Sequence, residues 1–256
     1  MNKSSVLFKE IKTNLVYIFK NFNTKIFIYT PGRVGSKTLY HNIKKYKPVI
    51  HTHCFKGIFN KYRKHDKMCH FHEDFMYKED KFFLTLPRKL IDFFALKVFP
   101  GKKKIIVIFR DPISRDISGF FKNYKKVIQN WENFDGHQLL SMYYKVINQD
   151  YALYWFENEF KKTMKIDIFD YQFDKEKGFL EINEKNKSYL ILTTEKLDSN
   201  AENIREFIGL DKLDLTHRNV TSKSNIVLDF YRNFTPSKEY LDKIYKSKIM
   251  KYFYSQ

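Results

Sequence analysis

The sequence predicts an α/β fold in three layers, with a mostly parallel central sheet flanked by helices. Three observations predict it. Short apolar runs rich in β-formers recur along the chain, at Ile26–Tyr29, Ile105–Phe109 and Ser188–Thr193. The run Ile105–Phe109 has no polar interruption, the pattern of a strand buried on both faces of a parallel sheet. Segments with helical periodicity separate these runs, and alternation of strand and helix is the signature of a layered α/β fold.

Length and composition set the frame. The 256 residues carry no Pro/Gly/Ser-rich linker and no internal repeat. One domain over 25–256 follows, preceded by a helix over 1–24 and holding a helical insertion at about 55–100. The formal charge is +18. Much of it is lysine in a chain also rich in Asn, Ile, Phe and Tyr, a compositional bias. A basic field still favours anionic ligands: nucleotides, acidic polysaccharide, nucleic acid or anionic lipid. The two cysteines, Cys54 and Cys69, make no disulfide framework, and a reducing cytoplasm is expected.

At the N-terminus the longest apolar run, Leu15–Phe19, is too short for a signal or spanning segment, and Lys9, Lys12 and Lys20 surround it. Val6 to Phe22 reads instead as an amphipathic helix, with Leu7, Ile11, Leu15, Ile18 and Phe22 on one stripe. It packs on the domain edge or touches the inner face of a membrane peripherally. The sequons at Asn219 and Asn233 are expected to be idle without a secretion signal.

The elements follow in order. Ile26–Tyr29 is a strand that stops at Thr30-Pro31-Gly32. A Gly/Ser/Thr-rich turn leads into a helix over Thr38 to Tyr46, ended by Pro48. Val49 to His53 is a second short strand. Thr85 to Val98 has helical periodicity through Leu86, Leu90, Phe93, Phe94 and Lys97. After the strand at Ile105–Phe109, Asp111 is a good N-cap and Pro112 a good first helical residue, so a helix runs to about Ile128. His137 to Lys162 reads as one or two helices, Ile166–Phe169 as a short strand and Ser188–Thr193 as a further buried strand. Asn200 to Ile208 is helical and ends at Gly209. The tail is polar from His217 and then helical from Tyr240 to Tyr252.

Strand, glycine loop and helix over Lys25 to Tyr40 (KIFIYTPGRVGSKTLY) aim backbone N–H groups and a positive helix end at a phosphate. The loop is not a Walker A loop, which needs lysine directly after the last glycine. Here Ser36 intervenes between Gly35 and Lys37, turning the lysine about 100° round the incoming helix. With no evident Walker B aspartate, an ordinary ATPase or GTPase is disfavoured. The loop resembles the 5′-phosphosulfate loop of sulfotransferases that use PAPS (3′-phosphoadenosine 5′-phosphosulfate), roughly P-[KR]-x-G-[ST]-[ST]. On that resemblance Arg33 takes the basic position, Gly35 the glycine, and Ser36 and Thr38 the hydroxyl positions; Lys37 departs from the pattern. A glycine turn that merely joins strand to helix is the bland alternative.

A second unit lies at Ile108 to Ser118 (IFRDPISRDIS). Arg110 stands where a buried strand ends, beside a capped helix, and a guanidinium there can take a phosphate bidentately. Physical reasoning selects Arg110 and Arg115, unless Arg110 only braces the turn through Asp111 or Asp116. The stretch is also similar to the R-[DN]-P-x-x-R-x-x-S segment with which sulfotransferases bind the 3′-phosphate of PAPS, and that resemblance adds Ser118. Trp155 to Phe179, Arg110 to Phe121 and Ile191 to Leu197 together resemble a bacterial sulfotransferase-like family, the putative capsular polysaccharide synthesis proteins with a C-terminal N-K-W-Y-S signature. The likeness covers most of 25–235, although the stretch around Asn219 lacks the Trp-Tyr pair. It implies PAPS as donor and a carbohydrate hydroxyl as acceptor, with Arg33, Val34, Gly35, Ser36, Lys37 and Thr38 at the 5′-phosphosulfate and Arg110 with Ser118 at the 3′-phosphate.

Sulfuryl transfer needs a base for the acceptor hydroxyl. His51 and His53 end the second strand on the edge where both loops lie. An i, i+2 spacing sends both to one face, so it does not choose between them. His53 is the first candidate and His51 the second, ahead of Glu195 and His72; a strand-end histidine without catalytic duty is the plainer reading. A zinc site from His51, His53, Cys54, Cys69, His70 and His72 has suitable ligand types but no fitting spacing, and no metal is expected. Two other functions stay open: a P-loop kinase or NTPase, and a non-catalytic binder of nucleic acid or acidic glycan driven by charge. The sequence names no acceptor and no oligomeric state.

Overall fold

The computed structural model describes residues 24–55, 82–127, 133–215 and 225–254, with the isolated positions 16 and 130. Apart from position 16, the amphipathic stretch 6–22 lies outside the described residues, as do the heart of the insertion at 56–81, with His72, and the segment 216–224.

Five strands form one sheet in the order β2-β1-β3-β5-β4. They are β1 (Ile26–Tyr29), β2 (Val49–Thr52), β3 (Lys103–Phe109), β4 (Phe179–Asn183) and β5 (Lys187–Thr193). β1 pairs in parallel with β2 on one side and β3 on the other, and β3 pairs in parallel with β5. Only β4, at the edge, runs antiparallel. The fold is therefore α/β, with a mostly parallel sheet flanked by helices.

Period-two alternation sends each strand's side chains to opposite faces, and both faces are covered. Phe27, Tyr29, Ile105, Val107, Phe109, Tyr189 and Ile191 share one core. Ile26, Ile28, Ile106, Ile108, Leu190 and Leu192 belong to the other. The second core is closed by α1 (Ser36–Ile43), through Leu39 and Ile43, and by α7 (Ala201–Ile208), through Ile204, Phe207 and Ile208. The first takes the remaining helices: α2 (Phe82–Lys97), α3 (Pro112–Val127), α4 (Gly136–Val146), α5 (Asp150–Trp155) and α6 (Lys161–Met164), then α8 (Asn225–Arg232), α9 (Lys238–Tyr245) and α10 (Lys248–Phe253). A π-turn, Phe156–Phe160, joins α5 to α6. Aromatic rings fill this side, among them Phe120, Tyr143, Trp155, Phe156, Phe160, Phe230 and Phe253.

Local chemistry explains most boundaries. Asp111 caps α3, its Oδ1 accepting the Ser114 N–H at 2.7 Å. Asp135 and Gln138 form a reciprocal capping box at α4. Gly209, at φ 68°, ends α7 in the left-handed conformation that glycine adopts without strain. The tail expected as one helix is two, because Ser247 breaks the run and caps α10, accepting from Met250 N.

One expected strand is corrected, and two elements come without a local signal. Ile166–Phe169 is not a strand: the Asp167 carboxylate accepts the Phe169 N–H at 3.1 Å and winds Ile168–Asp170 into a 3₁₀ turn. β4 escaped notice because, as an edge strand, it buries only Ile182. Helix α8 in the tail was likewise not expected. Among the described residues no helix is long and apolar enough to cross a membrane.

Ile106 is fully buried at the pairing of β1 with β3. Ile106→Ala is expected to lower unfolding free energy by about 2–5 kcal/mol in urea titrations. A loss below about 0.5 kcal/mol, the usual scale of surface substitutions, would contradict the double-faced burial of β3.

A candidate anion site at the carboxyl edge of the sheet

The chain leaves β1 for β2 in one direction and returns past β1 to form β3 on the other side. The carboxyl ends of β1 and β3 thus flank a topological switch point, where open α/β sheets bind ligands. Both loops singled out in the sequence open there.

The first loop turns through two left-handed residues, Arg33 at φ 73° and Gly35 at φ 76°. Glycine takes that conformation freely, whereas for Arg33 it costs about 1 kcal/mol or more. Gly35 is followed directly by the first helical residue, a change of hand that turns successive N–H groups toward one centre. Gly35 offers α1 no side-chain cap, and the first turn holds no acidic residue. The amino end of α1, opening with the Ser36 and Lys37 amides, therefore keeps its donors and its positive dipole for a ligand.

Distant residues hold this loop in shape. The Gly32 N–H donates to the Tyr151 hydroxyl at 3.2 Å, and Arg115 Nε donates to the Gly32 carbonyl at 3.2 Å. The Arg115 guanidinium lies 4.4 Å from the centre of the Tyr151 ring. From the end of β5, the Thr194 hydroxyl lies 2.9 Å from the Val34 carbonyl and 3.0 Å from that of Phe109, so a single proton bridges the two loops.

Arg33 reaches across to the second loop. Its Nη2 donates to Ser118 Oγ at 2.8 Å and its Nε to the Ser118 carbonyl at 3.2 Å. Arg110 Nη1 lies 3.5 Å from the Arg33 carbonyl. Arg33, Arg110 and Ser118 thus form one cluster, half-buried. Among the described residues neither Arg33 nor Arg110 has a carboxylate partner. Burial, then the charges of Arg110 and Arg115, hold the Arg33 guanidinium below its ordinary value. Arg115, by contrast, is corrected as a ligand candidate: it is 1 % exposed, pairs with Asp116 and serves the loop from behind.

The histidines stand beside the first loop. His51 Nε2 lies 2.9 Å from Ser36 Oγ, and the two imidazoles meet edge to face at 4.6 Å. Burial, followed by His53, Lys37 and His41, pushes His51 down to about 3, so it is neutral and a poor base near pH 7. His53 falls just past β2, its Nδ1 2.9 Å from the Thr30 carbonyl. A carbonyl can only accept, so Nδ1 carries a proton.

Val34 is buried, Thr38 half-buried with its N–H on the Gly35 carbonyl at 2.9 Å, and Lys37 exposed, close enough to His51 to depress it. Glu195 braces the second loop: its oxygens accept from the Asp111 N–H at 3.2 Å and the Tyr254 hydroxyl at 2.9 Å. Cys69, His70 and His72 lie outside the described residues, and with them half of the ligand set of the zinc reading. Sequence reasoning missed Tyr151 and Thr194, which reach the loop from 119 and 160 residues away. No local pattern marks them.

The fold and site together define an α/β protein with a cationic crevice at its switch point. Comparison of the chain with protein-family models, with curated proteins and with solved structures gives no match.

The buried His51 has a pH signature. The unfolded chain binds a proton there below about 6.5 that the folded protein refuses until about 3, so this contribution is present above 6.5 and lost as pH falls. Asp116 slopes the other way: burial raises its carboxyl to about 7 against the pull of Arg115, and that contribution is lost as pH rises. Comparing wild type with His51→Gln isolates the first. The stability difference is expected to grow with pH between 3 and 6.5, by at most about 1.4 kcal/mol per pH unit. Urea titrations across that range measure it, and a flat difference would show that His51 protonates as freely folded as unfolded.

Proposed function

We propose that this protein is a sulfotransferase that moves a sulfuryl group from PAPS to a hydroxyl of a carbohydrate acceptor, in keeping with the capsular polysaccharide family that its motifs resemble. One observation carries the reading: folding brings Arg33, bonded to Ser118, together with Arg110, both without carboxylate partners among the described residues, beside an uncapped helix end. Like charges so placed repel, and a ligand with two separate anionic groups relieves that repulsion best. PAPS has such groups at its 5′ and 3′ ends.

In this scheme the amides opening α1 hold the 5′-phosphosulfate, and Arg110 with Ser118 holds the 3′-phosphate. Arg33, bonded to Ser118, joins the two halves and can neutralise charge as the donor bond breaks. The acceptor oxygen attacks sulfur in line. The bond from sulfur to the bridging phosphate oxygen breaks, His53 Nε2 takes the acceptor's proton, and a sulfate ester and 3′,5′-ADP result.

Titration with 3′,5′-ADP is expected to raise the melting temperature, as any ligand of the folded state does. Arg110→Ala is expected to weaken that binding at least about tenfold, some 1.4 kcal/mol. Stabilisation by ATP–Mg²⁺ but not 3′,5′-ADP would replace the reading with a P-loop kinase or NTPase. Binding of any polyanion, steeply lost with salt and indifferent to 3′,5′-ADP, would replace it with a charge-driven binder.

With labelled PAPS and glycan extracts, wild type is expected to transfer label to carbohydrate and His53→Ala to lose about 10²-fold or more. Undiminished transfer by His53→Ala would remove His53 from the mechanism.

A further inference from the structure

Polar contacts that span more than a hundred residues also involve a buried acid that the scheme above does not use. Glu159 lies in the π-turn after α5 and has no exposed surface. Its Oε1 accepts from the Tyr29 hydroxyl at 2.5 Å and from the Phe55 N–H at 2.5 Å, and its Oε2 from the Cys54 thiol at 3.4 Å. Four residues earlier, Trp155 Nε1 donates to the His53 carbonyl at 3.1 Å. Helical residues four apart share a face, so both side chains reach the same three-residue segment.

That segment is His53-Cys54-Phe55, the exit of β2. It is outside the regular ladder, and backbone there must find other partners. Trp155 and Glu159 supply them at His53 and at Phe55, on either side of Cys54. Tyr29, the last residue of β1, binds the same carboxylate oxygen as Phe55, and its ring meets Phe55 at 5.0 Å and Trp155 at 5.2 Å. Thr30, which follows Tyr29, is the residue whose carbonyl fixes the His53 ring. One buried carboxylate thus ties down both strands that meet at His53: the strand whose exit carries the imidazole and the strand whose exit orients it. Burying an acid is costly, and apolar packing alone would close this space without it. π-Turns of this kind are enriched at functional sites.

We propose that Glu159, with Trp155, is a positioning residue that holds the His53 imidazole in place, with its Nδ1–H on the Thr30 carbonyl. The catalytic importance of this rests on the reading of His53 as the base; the positioning itself does not. Two readouts separate them. In ring ¹⁵N spectra, wild type is expected to show His53 held as the Nδ1–H tautomer. Glu159→Gln, which keeps shape but gives the Cys54 side an amide in place of an acceptor, is expected to mix tautomers and broaden those signals. In sulfuryl transfer, Glu159→Gln is expected to lower kcat by up to about 10²-fold with 3′,5′-ADP affinity unchanged. In a His53→Ala background the same substitution is expected to have no further effect.

An unaltered His53 ring spectrum in Glu159→Gln would overturn the proposal, whatever the enzyme's activity. So would a kcat loss that persists in full on top of His53→Ala. Should Glu159→Gln fail to fold, Trp155→Phe removes only the indole donor to His53 and is expected to move the ring spectrum in the same direction. If Trp155→Phe leaves the spectrum unmoved, the clamp does not orient His53. Absence of any sulfuryl transfer with an altered ring spectrum would remove the proposed reaction and leave the clamp standing.

Discussion

Everything at the candidate site depends on the parallel pairing of β1 with β3. The register Ile26 to Lys104, Phe27 to Ile105 and Ile28 to Ile106 brings two strand exits to one edge of the sheet, though about eighty residues separate them in the chain. Hydrophobic burial on both faces sets that register. A slip by one residue would exchange every side chain between the two cores. The same pairing lets Arg33 and Ser118 meet across the crevice, and lets Thr194, from β5, bridge carbonyls of both loops.

Charge then gives the crevice its chemistry. The two sides of the first loop are treated differently. Behind it, Arg115 pairs with Asp116, rests on Tyr151 and bonds to Gly32, a fully internal use of a cation. In front, Arg33 and Arg110 face each other with only Ser118 and backbone oxygens as partners among the described residues. The difference separates an internally paired arginine from two half-buried ones. It follows from burial: Arg115 has no access to a ligand, whereas Arg33 and Arg110 are only half-buried.

The two histidines show the same division. His51 sits within β2, where burial and neighbouring cations keep it neutral, and bonds to Ser36. His53 lies one residue past the strand, its ring fixed from one side by Thr30 and its backbone by Trp155. Alternation along a strand treats the two alike; the end of the strand distinguishes them. The buried Glu159 belongs with this second histidine, since its contacts converge on the segment that follows it.

The chain by itself determined the α/β class, the buried strands β1, β3 and β5, the glycine loop and the Asp111 cap. These are written in local patterns: unbroken apolar runs, a glycine at a turn, an N-cap directly ahead of a helix. The edge strand β4 and the 3₁₀ turn at Ile168–Asp170 were not legible, because one buries a single side chain and the other is set by one aspartate. Tertiary structure alone decided which arginine faces inward, which histidine has its ring fixed on the Thr30 carbonyl, and which distant residues brace the loop. Tyr151, Glu159 and Thr194 act through contacts across more than a hundred residues. A contact of that range has no period and no spacing in the chain; it exists only once both cores have closed on the sheet.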